Sequence, residues 1–103
     1  MLFTNAASHS HSGGGSYETV LSIAATHKGV AMVMGERCTS DNTGDQYLQV
    51  TVDGNVVVTD LWCPLRDSPG FFFGGLYNFS SSILIEHKSD KANTVCRVSY
   101  YSA

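Results

Sequence analysis

The sharpest chemical motif in this sequence is a pair of histidines near the N-terminus, His9-Ser10-His11. In an extended chain, residues two positions apart project to the same side, so both imidazoles would face one way. Three copies of the chain around a threefold axis would then bring six imidazoles together, enough to ligate an octahedral transition metal. The sequence therefore predicts His9 and His11 as candidate metal ligands. The alternative is a solvated arm that carries two incidental histidines.

A second pair of reactive side chains, Cys96 and His87, has the residue types of a nucleophile and its general base. Nothing in the sequence orients that pair, and Cys96 lies in a strand-like segment. The chain has no Gly-x-Ser-x-Gly elbow, no phosphate-binding loop and no His-Glu-x-x-His pair. We therefore predict that the protein is not an enzyme, has no catalytic residue and needs no cofactor.

The three cysteines, Cys38, Cys63 and Cys96, match neither a zinc-ligand spacing nor a redox motif. An odd number suits free thiols in a reducing cytoplasm, and one disulfide plus a spare thiol is the alternative. No stretch is apolar enough to cross a membrane, and the N-terminus lacks the pattern of a signal peptide. We therefore expect the chain to be made in a cytoplasm.

The charge distribution argues against nucleic acid and anionic membranes as partners. The net charge is −3, and the six Lys and Arg residues are scattered, whereas phosphate binding needs clustered cations. Only 15% of the residues are charged, and Ser and Thr supply much of the polar surface. Such a surface suits contact with other proteins or with sugars.

Short segments rich in Val, Ile, Tyr, Phe and Thr alternate with clusters of Gly, Asp, Asn and Ser, which is typical of β-strands. In Leu48–Val52 the apolar residues alternate with polar ones, and Asp53-Gly54 then supplies a tight hairpin turn. The strands are predicted at Tyr17–Ala25, Gly29–Glu36, Gln46–Val52, Asn55–Asp60, Gly70–Gly74, Ser80–His87 and Val95–Tyr101.

These strands predict an all-β fold, most simply a jelly-roll-like antiparallel β-sandwich over residues 17–103, with a barrel as the next choice. The length of 103 residues fits one domain. Residues 1–16 contain no core-forming residue after Ala7 and are rich in Ser and Gly. They are predicted to form a flexible N-terminal arm.

Two segments resemble a recurring pattern in small β-modules of tailed-bacteriophage virion proteins. One is the strand pair around Gln49-Val50-Thr51-Val52-Asp53-Gly54, and Gly29-Val30-Ala31 after a strand fits the same pattern. The other is Tyr77-Asn78-Phe79-Ser80-Ser81-Ser82-Ile83-Leu84-Ile85, a Phe followed by serines and an apolar strand.

The resemblance covers roughly residues 17–101 and implies a head decoration protein, a head fibre or a tail component. Such modules are usually β-sandwiches that assemble as trimers or other rings. The resemblance therefore implies a homo-oligomer, with a trimer favoured, that contacts other virion proteins and resides in the virion after synthesis in the host cytoplasm. Some trimeric phage fibres hold metal with His-x-His pairs similar to His9 and His11.

The most unusual stretch contains three consecutive aromatic residues, Phe71, Phe72 and Phe73. They cannot all face one side of a strand, and an exposed aromatic side chain commonly marks a subunit contact. We predict Phe71, Phe72, Phe73 and Trp62 as partner-binding residues, with a strand buried on both faces as the alternative. A second functional class is a carbohydrate- or receptor-binding module, whose candidate sugar-stacking residues are Tyr47, Trp62, Tyr77 and Tyr100.

Overall fold

The computed structural model describes residues 3–36, 45–63 and 71–103, and Cys38 and Gly70 lie outside these ranges. The described residues form eight strands and no helix, so none contributes a helix that could span a membrane. The strands are β1 (Asn5–Ser10), β2 (Glu18–Ile23), β3 (Gly29–Glu36), β4 (Gln46–Val52), β5 (Asn55–Cys63), β6 (Phe71–Phe79), β7 (Ile83–Ser89) and β8 (Val95–Ser102).

The strands form two antiparallel four-stranded sheets, which confirms the predicted β-sandwich. Sheet I has the order β1-β8-β3-β6, and sheet II has the order β2-β7-β4-β5. Along the chain, each of the first three connections passes from one sheet to the other, the β4–β5 hairpin lies within sheet II, and the remaining connections again change sheets. This wrapping of an antiparallel ribbon around a common core is the jelly-roll topology.

The core lies between the sheets and follows the period of two along each strand. Its fully buried aliphatic side chains include Val33 on β3, Leu48 and Val50 on β4, and Ile83 and Ile85 on β7. Each such side chain contributes about 1.5–3 kcal/mol when it leaves water. The core is therefore small but continuous across both sheets.

The N-terminal segment is part of the sandwich, which corrects the prediction of a flexible arm over residues 1–16. Strand β1 pairs with β8 from Asn5↔Tyr100 to Ser10↔Val95, and Ala7 packs against the core. Beyond β1, the His11 N–H donates to the Thr94 carbonyl oxygen at 2.8 Å. The Ser- and Gly-rich composition of this segment does not prevent it from forming a strand, because backbone hydrogen bonds hold an edge strand in place and few large apolar side chains are needed.

The Asp53-Gly54 turn joins β4 to β5 as predicted, with positive φ at both residues (52° and 82°). The Asp53 carboxylate also accepts hydrogen bonds from three successive backbone N–H groups in the β6–β7 turn: Ser80 at 3.0 Å, Ser81 at 2.7 Å and Ser82 at 3.1 Å. These bonds, led by that of Ser81, hold the pKa of Asp53 well below its usual range. One side chain thus ties two neighbouring turns together.

Candidate functional site

Three histidines meet between the sheets at one end of the sandwich. His9 on β1 and His87 on β7 are joined by a contact of 2.7 Å between His9 Nδ1 and His87 Nε2. The ring centroids of His9 and His11 are each 5.0 Å from that of His87. The carboxylate of Glu18, on β2, lies 3.7 Å from His9 Nε2 and 3.6 Å from His11 Nε2.

The hydrogen-bond partners determine which ring nitrogens carry protons. The side-chain amide of Gln46 donates to the carbonyl oxygens of Glu36 and Val95, so its Oε1 is left to accept from His87 Nδ1 at 2.8 Å. His87 Nε2 therefore carries a lone pair and accepts from His9 Nδ1. The result is a directed chain of hydrogen bonds from the partly exposed His9 to the fully buried Gln46.

His87 is held in its neutral form by this environment. Burial, reinforced by the neighbouring His11 and His9, lowers the pKa of His87 to about 4. A buried imidazolium would lack water, and its Nε2 proton would oppose the proton that His9 Nδ1 donates. The cluster is therefore a hydrogen-bonded part of the fold at neutral pH.

The predicted metal pair faces inwards. His9 and His11 project to the same side, as their spacing predicts, but His11 is only 1% exposed. His11 Nδ1 accepts from the Gly13 N–H at 2.8 Å, so its Nε2 is protonated and donates to the Ser16 carbonyl oxygen at 2.7 Å. With both nitrogens occupied, His11 presents no lone pair to a neighbouring copy. No group of three His, Cys, Asp or Glu side chains within residues 3–36, 45–63 and 71–103 is arranged to hold a metal ion.

Cys96 and His87 do not form a nucleophile–base pair, since both nitrogens of His87 bond to other side chains. Cys63 and Cys96 are buried free thiols. Burial raises the pKa of each to about 12, which keeps them protonated and unreactive.

Nothing in the local sequence directly indicates that His87, Glu18 and Gln46 meet the N-terminal histidines. One local indication was present, because His87 continues the inward alternation of Ile83 and Ile85 along β7. That alternation predicts a buried histidine, which needs hydrogen-bond partners. The identity of the partners depends on how the sheets face one another.

The outer face of sheet I carries exposed apolar side chains. Phe71, Phe73 and Leu76 on β6 are 61%, 54% and 56% exposed. In register with them on β3, Phe73 pairs with Met34 and Leu76 pairs with Met32. A β-bulge at this point of the β3–β6 ladder brings both Phe73 and Leu76 to the outside although they are three residues apart. We call Met32, Met34, Phe71, Phe73 and Leu76 the apolar face.

The structure separates the four side chains predicted to bind a partner. Phe71 and Phe73 belong to the apolar face, whereas Phe72 is partly buried and packs against the core. Trp62 is 53% exposed, but it lies on β5 in the other sheet. The four residues therefore do not form one continuous surface.

No family model matches the chain, and no curated protein matches it. Among solved structures, a chain from "Structure of infectious bursal disease virus Gt strain" is similar at 18% identity with a TM-score of 0.38. The match covers 91% of this chain and 30% of that chain, so this chain spans less than a third of the viral one.

Proposed function

We propose that this chain is a non-enzymatic structural protein of a virion that assembles with copies of itself. The resemblance of its two strand segments to tailed-phage modules supports a head decoration, head fibre or tail component. The jelly-roll topology is in keeping with this role, because that fold recurs in viral capsid and lectin domains.

The observation that carries the proposal is the apolar face. Isolated exposed apolar residues are ordinary, but a contiguous group of two aromatic rings, a leucine and two methionines on one sheet is typical of an interaction surface. Phe and Met are also enriched in the buried centres of protein interfaces. Contact with a partner would remove these side chains from water and stabilise the assembly.

The occupant that we propose for the apolar face is a second copy of this chain. Strand β6 carries no charged residue, so two copies can approach there without opposing like charges. The charges at the rim of this face, Glu36 and Arg97, already form an ion pair at 2.6 Å and are mutually compensated. A contact between two apolar faces would give a twofold dimer, whereas three apolar faces that meet around a threefold axis would give the favoured trimer. In the virion, the assembly would also contact other virion proteins.

The experiment is the mass of the purified protein by light scattering over a range of concentrations. The chain of 11.1 kDa should give a defined multiple of that mass. Phe73→Lys should reduce the species to a monomer, because it places an ammonium group in the centre of the contact. Val57→Lys is the matched control, since Val57 is 53% exposed on β5 and lies outside the apolar face.

Either of two results would contradict the proposal. A wild-type protein that stays monomeric at high concentration would show that the chain does not assemble by itself. Equal masses for wild type, Phe73→Lys and Val57→Lys in an oligomer would show that assembly uses a different surface. Circular dichroism of each variant would establish that it retains the β-fold.

A further inference from the structure

The outer face of sheet II differs from the apolar face, because its aromatic rings lie beside charged and polar groups. Trp62 on β5 is the register partner of Tyr47 on β4, and Tyr47 is in turn the partner of Lys88 on β7. Tyr17, just before β2, lies beside Lys88, since the next residue Glu18 pairs with His87. These four side chains, which we call the aromatic row, extend across sheet II from β5 through β4 and β7 to the residue that precedes β2.

The centre of the aromatic row is held by specific contacts. The Lys88 ammonium lies 4.9 Å from the centre of the Tyr17 ring and 5.4 Å from that of Tyr47. It also pairs with the Asp60 carboxylate at 2.7 Å, and the Tyr17 hydroxyl donates to the same carboxylate at 2.5 Å. Because Lys88 and Asp60 compensate one another, the row offers oriented rings and no net positive charge.

A cleft of about 290 Å³ opens beside the aromatic row. It is lined by Gly15, Asp45, Tyr47, Lys88, Ser89 and Asp90. The carboxylates of Asp45 and Asp90 accept hydrogen bonds, so they suit the hydroxyl groups of a ligand. The same carboxylates would repel a phosphate, a sulfate or an acidic sugar.

A second line of polar side chains runs next to the aromatic row. The Thr59 hydroxyl donates to Gln49 Oε1 at 2.8 Å, and the Gln49 amide donates to Glu86 Oε1 at 3.1 Å. These side chains come from β5, β4 and β7, so they parallel the row across the sheet. The face therefore combines rings for stacking with pre-oriented hydrogen-bonding groups, the combination by which proteins fix polar small ligands.

We propose that this face binds a neutral oligosaccharide, with Tyr47 and Trp62 stacking on the C–H faces of the sugar rings and Asp90 accepting from sugar hydroxyls. The cleft is at the small end of the roughly 300–1,000 Å³ of ordinary ligand sites, which suits one or two sugar rings. The site lies on the opposite sheet from the apolar face and does not depend on the proposed assembly.

The chain offers its own reporter, because Trp62 is the single tryptophan of the sequence. We would titrate the protein with maltohexaose, cellohexaose, chitohexaose and the anionic control sialyllactose, and follow the tryptophan emission. Binding of a neutral sugar should shift the emission in a saturable manner, and sialyllactose should have no effect. Calorimetry on the same sugars provides a readout that does not depend on Trp62.

The variants separate a sugar site from a general effect on the fold. Tyr47→Ala should weaken binding about tenfold, since it removes one aromatic contact. Tyr101→Ala is the matched control, because Tyr101 is exposed on sheet I, and it should bind as wild type. The proposal is overturned if no neutral sugar saturates the signal, if sialyllactose binds more tightly than the neutral sugars, or if Tyr47→Ala and Tyr101→Ala bind equally.

Discussion

Acidification should destabilise the protein through His87, and the size of this effect follows from its surroundings. The imidazole is enclosed, donates to Gln46 and accepts from His9, and its pKa is lowered from 6.5 to about 4. The unfolded chain binds a proton at His87 near pH 6.5, whereas the folded chain does so only near pH 4. Stability from this group is therefore complete above pH 6.5 and is lost progressively as the pH falls to about 4.

The difference between the two pKa values is about 2.5 units, and each unit corresponds to about 1.4 kcal/mol. His87 therefore accounts for a loss of up to about 3 kcal/mol between pH 7 and pH 4, an upper limit because some screening by water remains. For a domain with a total stability of about 5–15 kcal/mol, this is a large part.

The assay is urea unfolding at a series of pH values for wild type, His87→Gln and His27→Gln. His87→Gln keeps an amide between Gln46 and His9 but removes the titrating group, whereas His27 is exposed and serves as the control. The free energy of unfolding of wild type should fall more steeply than that of His87→Gln by up to about 3 kcal/mol, and His27→Gln should follow wild type. Superimposable pH profiles for wild type and His87→Gln would refute the reasoning.

Two further predictions concern the N-terminal strand and the Asp53 turn. Deletion of residues 1–11 removes β1 and His11, so we expect a lower melting temperature and exposure of the β8 edge. If the truncated protein unfolded at the same temperature as wild type, residues 1–11 would not stabilise the domain and would behave as a flexible arm. Asp53→Ala removes the acceptor of three backbone N–H bonds, so its urea midpoint at pH 7 should fall below that of the exposed control Asp90→Ala. Because the pKa of Asp53 is lowered, the stabilisation from its carboxylate is present above about pH 4 and is lost in stronger acid. The difference between wild type and Asp53→Ala should therefore narrow in acid to the pH-independent cost of alanine at positive φ, and a difference of the same size at all pH values would contradict this.

Most strands could be predicted from local patterns because a strand with one buried face alternates with a period of two. Gly29–Glu36 and Gln46–Val52 have the predicted bounds. Strand β5 extends three residues beyond the predicted Asp60, across a bulge at which Asp60 has positive φ. Strand β1 was missed because its evidence is the ladder with β8, some 90 residues away along the chain, and not its own side chains.

The candidate sites depended more on tertiary structure than the strands did. The three phenylalanines had to alternate, but only the bulge opposite Val33 and Met34 determined that Phe71 and Phe73 face outwards. Of the four predicted sugar-stacking residues, Tyr47 and Trp62 share the outer face of sheet II, whereas Tyr77 and Tyr100 pack against the core. Which alternate side chains of a strand face the core depends on the side on which the other sheet packs, and the local sequence does not specify that side.

The sequence by itself determined the all-β class, the Asp53-Gly54 hairpin and the common orientation of His9 and His11, because these follow from backbone geometry within a few residues. Only the tertiary structure decided that the two histidines turn inwards to meet His87 and Glu18, and that apolar and aromatic surfaces lie on opposite sheets. The physical reason is that the jelly roll joins strands far apart in the chain, so the environment of each side chain is set by partners that the local sequence does not specify.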